Sequence, residues 1–187
     1  MSTTYHLRVI IDELAANRQW ADDAQLGHFA DALLQPGHVF LAGAGRSGIA
    51  IRGFASRLMH LGMRVSLVGD ITSPHSTTGD LLTLGSGSGE TESLVAVARK
   101  AARAGVRIAL VTMDETSTLG QLADVVVVLP GVSPKLKATV RRVKSVQPMG
   151  SAFEQMSCLV YDALILEMME RTQQTTDTKF SRHAGLE

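Results

Sequence analysis

Two glycine-rich segments combine small residues with hydroxyl side chains, and each follows a short apolar run. The first loop is AGAGRSG at residues 42–48, and the second loop is LGSGSGET at residues 84–91. A tight turn would explain the glycines, but it does not require the serines and the threonine around them. Glycine lets an anion approach the backbone closely, and the hydroxyl groups can donate hydrogen bonds to it.

A helical pattern follows each loop, so each loop lies at the start of a helix. The first N–H groups of a helix have no partner inside it, and the helix dipole adds partial positive charge there. We therefore predict that the two loops bind a phosphate group. The predicted binding residues are Arg46, Ser47, Ser86, Gly87, Ser88, Gly89, Glu90 and Thr91.

The two charged residues of the loops each have an alternative interpretation. Arg46 is either a cation that polarises substrate oxygens or the phosphate, or a surface residue at the start of a helix. Glu90 is either part of the binding site or only a cap of the helix that begins at Thr91, because the helix dipole favours an acid there.

The strand candidates are continuously apolar, and helical patterns separate most of them. They lie at residues 38–43, 63–69, 80–85, 105–112 and 123–130. Strands that are apolar on both faces are typical of a parallel sheet with helices on either side. The connection over residues 70–79 is short and polar, so a helix there is small or missing. We predict a five-stranded parallel sheet of order 2-1-3-4-5, as in flavodoxin-like folds.

In that strand order, strands 1 and 3 are neighbours at the switch point, where ligands bind beyond the strand C-termini. The two loops follow these strands, so they are predicted to converge on one crevice. The chain is interpreted as one domain with an N-terminal helical region over residues 1–35, an α/β core over 36–130, and a C-terminal helix and tail over 150–187. Residues 131–150 have no clear period and are interpreted as a surface excursion.

A dinucleotide site is the main alternative for the first loop. GAGRSG satisfies the G-x-G-x-x-G pattern, and Asp70 follows after a second strand. This reading gives no role to the hydroxyl groups of the second loop, and the chain has little length left for a second mononucleotide half. A Walker phosphate loop is excluded because no lysine follows the required glycine.

The composition of the chain argues against nucleic acid and membranes as binding partners. The chain has 18 Lys and Arg residues and 18 Asp and Glu residues among its 187, which argues against a general nucleic-acid binder. Cys158 is the only cysteine, so no intrachain disulfide can form. The N-terminus lacks a signal-peptide pattern, and no run approaches the ~18 apolar residues of a membrane span. We expect a cytoplasmic protein with no membrane or nucleic-acid partner.

At the two loops the sequence resembles the sugar isomerase (SIS) domain family, and in particular its 6-phospho-3-hexuloisomerase branch. The segments that carry the resemblance are GAGRSG, RLMHLG at 57–62, SGSGET at 86–91, FEQ at 153–155 and RHAGLE at 182–187. The segment SPH at residues 73–75 departs from the family pattern, which leaves His75 without a role.

The resemblance implies a cofactor-free and metal-free isomerase that interconverts D-arabino-hex-3-ulose 6-phosphate and D-fructose 6-phosphate through a cis-enediol. This is a step of formaldehyde fixation in the ribulose monophosphate pathway. It also implies a homotetramer, or alternatively a dimer, whose active sites use residues from more than one subunit. Another SIS phosphosugar isomerase, such as an arabinose 5-phosphate isomerase, and a non-catalytic phosphosugar-sensing SIS module remain alternatives.

Two catalytic residues are predicted, both supported by the resemblance. Glu154 is expected to be the general base, because a carboxylate near the start of an apolar helix has no packing role, although the helix dipole alone could also favour it. His183 is expected to act as a proton shuttle, in its own subunit or a neighbour's, although a lone histidine in a tail is usually idle. The sequence assigns no role to His60, Asp70 or His75.

Overall fold

The computed structural model describes residues 1–136, 143–175 and 182. The α-helices are α1 (Thr3–Asn17), α2 (Asp23–Leu34), α3 (Gly45–His60), α4 (Glu92–Arg103), α5 (Thr118–Leu122) and α6 (Ser151–Arg171), and a 3-10 turn covers Arg18–Trp20. The strands are β1 (Val39–Gly43), β2 (Val65–Leu67), β3 (Leu81–Gly85), β4 (Arg107–Thr112) and β5 (Val125–Val128).

The strands form one parallel sheet of order β2-β1-β3-β4-β5, so the predicted fold class and strand order are confirmed. The central strands are buried along their length, which explains why their sequences are apolar at consecutive positions rather than at alternate ones. The second strand is shorter than the predicted span 63–69, and no helix interrupts the described connection over residues 70–79.

Helices cover both faces of the sheet and form two hydrophobic clusters. The larger cluster joins α2, α3 and α6 to one face, with the fully buried Phe29, Phe54 and Leu164 at its centre. The smaller cluster joins α4 and α5 to the other face through Leu94, Ala98 and Leu119, among others. Because both faces are covered, a ligand can approach the sheet only at the ends of its strands.

The last helix differs from the sequence interpretation in one respect. The apolar spacing over residues 150–172 predicts that Leu159 packs on the apolar side of this helix with Met156 and Val160, but the Leu159 side chain is 53% exposed. Leu159 lies in an apolar groove beside Ile11 and Leu14 of α1, and not against the sheet. Within the described ranges, none of the helices has both the length and the hydropathy to cross a membrane.

Candidate active site

The first and second loops begin at the same level of the sheet. Gly43, at the end of β1, is the register partner of Gly85, at the end of β3. The two loops also touch, because a Cβ atom at Gly85 would lie only 3.7 Å from the backbone oxygen of Ser47. The prediction that the loops converge at the strand C-termini therefore holds for the observed fold.

Glycine is required in the first loop by close backbone contact. A Cβ atom at Gly48 would lie 2.7 Å from the backbone oxygen of Gly43, which no real side chain tolerates. Gly45 has a φ of +57°, in the left-handed region that favours glycine. The loop thus turns sharply into α3 and leaves Ser47 in its first turn, partly exposed.

The second loop is held in place by the neighbouring strand and helix. The backbone N–H of Met113 donates to Gly87 at 3.0 Å, and the N–H of Leu119 donates to Gly89 at 3.0 Å. Gly89 has a φ of +65°, and a Cβ atom there would lie 1.9 Å from the Ser117 hydroxyl. The loop is therefore rigid where it faces the protein.

The hydroxyl groups of the second loop lie close together. Ser86 is 3% exposed, and its Oγ lies 3.5 Å from Oγ1 of Thr91. The Ser88 Oγ accepts a hydrogen bond from the backbone N–H of Glu90 at 3.3 Å. The structure thus brings three of the predicted hydroxyl donors into one short segment.

Glu90 has a different partner from the one considered in the sequence interpretation. Its Oε1 accepts a hydrogen bond from the backbone N–H of Thr118 at 2.8 Å, so it helps to cap α5 and not α4. The residue itself is exposed. The long reach from residue 90 to residue 118 could not be read from the sequence, because it depends on how α5 docks beside the second loop.

The three helices that start around the loops share a feature at their N-termini. Their N-cap residues are Ala44 for α3, Thr91 for α4 and Gly150 for α6, and none of these gives a side-chain hydrogen bond to its helix in the described chain. The free N–H groups at such helix starts can bind an anion.

Glu154 and Arg46 connect α6 to the first loop. The Nε of Arg46 donates to the Oε2 of Glu154 at 2.6 Å, with side-chain exposures of 63% and 20%. Glu154 lies in the first turn of α6 and is partly buried. The preceding residue, Phe153, lies under the second loop, because a Cβ atom at Gly87 would come within 3.2 Å of its ring. Glu154 is therefore paired with a cation of the first loop, and the residue before it packs against the second loop.

Cys158 follows Glu154 by one helical turn and lies on the same side of α6. Burial raises the pKa of its thiol, Asp162 adds to this shift, and Arg46 opposes it. The residue is nevertheless exposed, so it is not part of the core. Its electrostatic coupling to Arg46 places it at the border of the same cluster.

His60 and His75 lie away from the loops, whereas Asp70 follows the C-terminal end of β2. His60 is buried at the C-terminal end of α3, and α3 is 16 residues long, or about 24 Å. Asp70 is exposed and 3.8 Å from Arg52. His75 is exposed on the connection that leads to the start of β3. His183 lies outside the described residues.

One residue near the loops was missed by the sequence interpretation. Tyr161 is buried on α6, and a Cβ atom at Gly85 would lie 3.0 Å from its hydroxyl oxygen. It follows Glu154 by seven residues, a spacing that places both on one face of a helix. Among the residues that the structure describes, no group of three or more His, Cys, Asp or Glu side chains could hold a metal ion.

Comparisons with known proteins place these features in a family context. The family model of the SIS domain matches residues 32–158, a range that includes both loops and Glu154. A protein of Bacillus subtilis named 3-hexulose-6-phosphate isomerase is 41% identical over 187 residues, which is 100% of both chains. A protein of Mycobacterium gastri with the same name is 40% identical over 98% of this chain and 91% of its own.

A solved structure agrees with these relatives. A hypothetical protein from Methanococcus jannaschii superposes with a TM-score of 0.83 and 30% identity, over 98% of this chain and 99% of that one. Its structure was described as inferring a molecular function of 3-hexulose-6-phosphate isomerase.

Proposed function

Because the chain belongs to the SIS domain family, we propose that it is a 3-hexulose-6-phosphate isomerase, which interconverts D-arabino-hex-3-ulose 6-phosphate and D-fructose 6-phosphate. The observation that carries this proposal is the identity of 40% or more, over nearly the whole chain, to two relatives with that name. The geometry supports it, since the two loops suited to a phosphate group meet and a carboxylate contacts the first of them.

The phosphate group would bind where the two loops meet. We propose that the hydroxyl groups of Ser47, Ser86, Ser88 and Thr91 and the free N–H groups of α3 and α4 donate hydrogen bonds to it. The helix dipoles add partial positive charge at the same point. The loop glycines, including Gly87 and Gly89, let the backbone approach the phosphate closely.

The reaction moves a carbonyl group from C3 to C2 of the sugar. A base must remove the proton on C2, a cis-enediol forms, and a proton is delivered to C3. Glu154 contacts Arg46 of the first loop and is partly buried. The carboxylate of Glu90 instead accepts a hydrogen bond from Thr118, so we propose Glu154 as this base. Arg46 would stabilise the negative charge that develops on the enediolate oxygen.

His183 remains the proposed proton shuttle for the sugar hydroxyl groups. The neighbouring described residue is Arg182, whose Nη1 donates to the backbone oxygen of His60 at 3.3 Å. This contact lies at the C-terminal end of α3, whereas Arg46 lies at its N-terminal end. The position of Arg182 therefore favours a His183 that serves the active site of a neighbouring subunit.

A His183 that serves a neighbouring subunit requires an oligomer. We propose a homotetramer, with a dimer as the alternative. The exposed apolar groove between α1 and α6, with Leu159 and Ile11 among its residues, supports contact between subunits. We also propose that the protein works in the cytoplasm, where phosphorylated sugars are available and a lone cysteine stays reduced.

The test is an isomerisation assay without added cofactor. Hexulose 6-phosphate is generated in situ, and the formation of fructose 6-phosphate is measured. A parallel assay supplies arabinose 5-phosphate and measures the formation of ribulose 5-phosphate. We expect turnover of the hexulose only. Binding of phosphosugars without turnover would instead indicate a sensing module, and a requirement for NAD(H) would contradict the proposal.

A further inference from the structure

Tyr161 combines a buried ring with a hydroxyl group that makes no hydrogen bond to the residues that the structure describes. The residue is 3% exposed, and its ring stacks on Phe54 with centroids 4.5 Å apart and planes at 11°. This stack fixes the direction of the hydroxyl group. In the part of the chain that the structure describes, the Tyr161 hydroxyl makes no recorded hydrogen bond.

The hydroxyl group lies beneath the junction of the two loops. A Cβ atom at Gly85 would be 3.0 Å from the Tyr161 oxygen and 3.7 Å from the backbone oxygen of Ser47. Gly85 is the last residue of β3, and Ser47 is in the first turn of α3. The hydroxyl is thus adjacent to both segments that would hold the phosphate.

Packing does not explain why this position carries a tyrosine. A phenylalanine would fill the same space beside Phe54 and Ile51 without burying a polar group. A buried tyrosine hydroxyl normally has a hydrogen-bond partner, and an unsatisfied one destabilises the fold. Burial also raises the pKa of Tyr161, with a smaller contribution from Cys158, so the hydroxyl stays protonated and can act as a donor at neutral pH.

We infer that the Tyr161 hydroxyl donates a hydrogen bond to the phosphate group bound between the first and second loops. The missing partner of the hydroxyl is then the ligand itself. This inference rests on the proposed function only in that the ligand is a phosphorylated sugar. It makes Tyr161 a binding residue that reaches the phosphate from beside Gly85, at the end of β3.

The first experiment compares Tyr161→Phe with Tyr5→Phe. Tyr5 is 38% exposed on α1, so the control makes the same chemical change away from the loops. We expect Tyr161→Phe to weaken binding of fructose 6-phosphate and of inorganic phosphate roughly 10-fold or more, since the lost bond is to a charged acceptor. We expect its melting temperature to be unchanged or higher, and Tyr5→Phe to bind like the wild type.

Two results would overturn the inference. One is wild-type affinity for both ligands in Tyr161→Phe. The other is a lower melting temperature with unchanged affinity, which would show that the hydroxyl has a structural partner.

The second experiment observes the hydroxyl directly. The chain has 2 tyrosines, so Tyr161 is the sole tyrosine in Tyr5→Phe. Addition of saturating inorganic phosphate to this variant should change the tyrosine Raman bands that report hydrogen bonding of the phenol. Phosphate binding without such a change would contradict the inference. A spectral change in a protein that turns over no hexulose phosphate would support it and refute the proposed function alone.

Discussion

The two ends of the sheet treat their polar groups differently. At the N-terminal end, Asp80 accepts hydrogen bonds from the backbone N–H and hydroxyl of Thr77 at 2.7 and 3.1 Å. Asp124 accepts from the N–H of Ile108 at 2.7 Å. At the C-terminal end, the hydroxyl of Tyr161 and the first N–H groups of three helices have no such side-chain partners in the described chain. The N-terminal end uses these polar groups to close the fold, whereas the groups around the two loops at the C-terminal end stay available.

The same difference separates the helices. Ser2, Asp22 and Ser117 cap α1, α2 and α5 with side-chain hydrogen bonds. The helices without such caps, α3, α4 and α6, are those that start around the loops. A side-chain cap typically stabilises a helix by about 0.5–2 kcal/mol. The chain therefore gives up stability at the end of the sheet where a phosphate would supply the missing acceptors.

The largest effect is expected from Glu154→Gln, which keeps the shape of the side chain and removes the base. We expect kcat to fall by about 10²–10⁴-fold, the usual contribution of a general base, while fructose 6-phosphate still binds. Steady-state kinetics and calorimetry measure the two quantities. Glu170→Gln, an exposed glutamate near the other end of α6, should retain wild-type turnover. Equal loss in both variants would exclude a catalytic role specific to Glu154.

A side-chain cap introduced at the start of α3, where the first loop would bind the phosphate, should weaken the binding of fructose 6-phosphate. Ala44→Asp places an acceptor and a negative charge at the N-cap of α3, whose extended backbone suits a capping residue. We expect the affinity for fructose 6-phosphate to fall about 10-fold or more and the free energy of unfolding to rise by about 0.5–1 kcal/mol. Calorimetry and urea denaturation measure these changes. Unchanged affinity in a stabilised variant would mean that the start of α3 does not contact the phosphate.

Removal of a hydrogen-bond acceptor at the N-terminal end of the sheet should lower the stability of the protein and leave its activity unchanged. Asp80 is 9% exposed and is committed to Thr77. Asp80→Ala leaves that N–H unsatisfied, so we expect the free energy of unfolding to fall by about 1–3 kcal/mol. We expect kcat/KM to change less than twofold. A large loss of activity in a folded Asp80→Ala protein would show that the two ends of the sheet are coupled.

The smallest expected effect is a pH dependence of stability that arises from His38, at the N-terminal end of the sheet. Burial lowers the pKa of His38 from 6.5, Arg64 lowers it further, and Asp80 opposes both. The unfolded chain therefore binds a proton more readily, so the stability from neutral His38 is present above pH 6.5 and is lost as pH falls through the lower folded value. The ring also pairs with the Ser66 hydroxyl at 2.9 Å.

Denaturation curves between neutral pH and pH 5 test this dependence. We expect wild-type stability to fall more steeply with decreasing pH than that of His38→Gln. The control His6→Gln, which alters an exposed histidine on α1, should keep the wild-type slope. An equal slope in wild type and His38→Gln would rule out His38 as its source.

Much of the fold could be predicted from the sequence because its strands are apolar at consecutive positions. That pattern and the intervening helices were sufficient to predict the parallel sheet. The strand order was that of flavodoxin-like folds, and the meeting of the two loops followed from it. The residue types of the loops also pointed to their hydroxyl groups as candidates for phosphate binding. A tight turn after a strand requires glycine, but it does not require serine beside it. The exact strand ends and the exposed Leu159 were missed, because they depend on neighbouring helices.

The contacts of the site that cross large distances in the sequence could not be predicted. Arg46 and Glu154 were each proposed, but their contact spans 108 positions and depends on how α6 packs on α3. The same packing places the hydroxyl of Tyr161 under Gly85. In the sequence, this tyrosine is one apolar position among many in α6. Only the folded chain shows that its hydroxyl makes no hydrogen bond to any described residue.

The most direct test of the central claim is proton exchange at the sugar carbon. Fructose 6-phosphate is incubated in D₂O at saturating concentration, and its C3 proton is followed by NMR. We expect the wild type and Glu170→Gln to replace this proton with deuterium, and Glu154→Gln to bind the sugar without replacing it. Exchange by Glu154→Gln at the wild-type rate would contradict the claim that Glu154 moves the proton of a sugar held by the two loops.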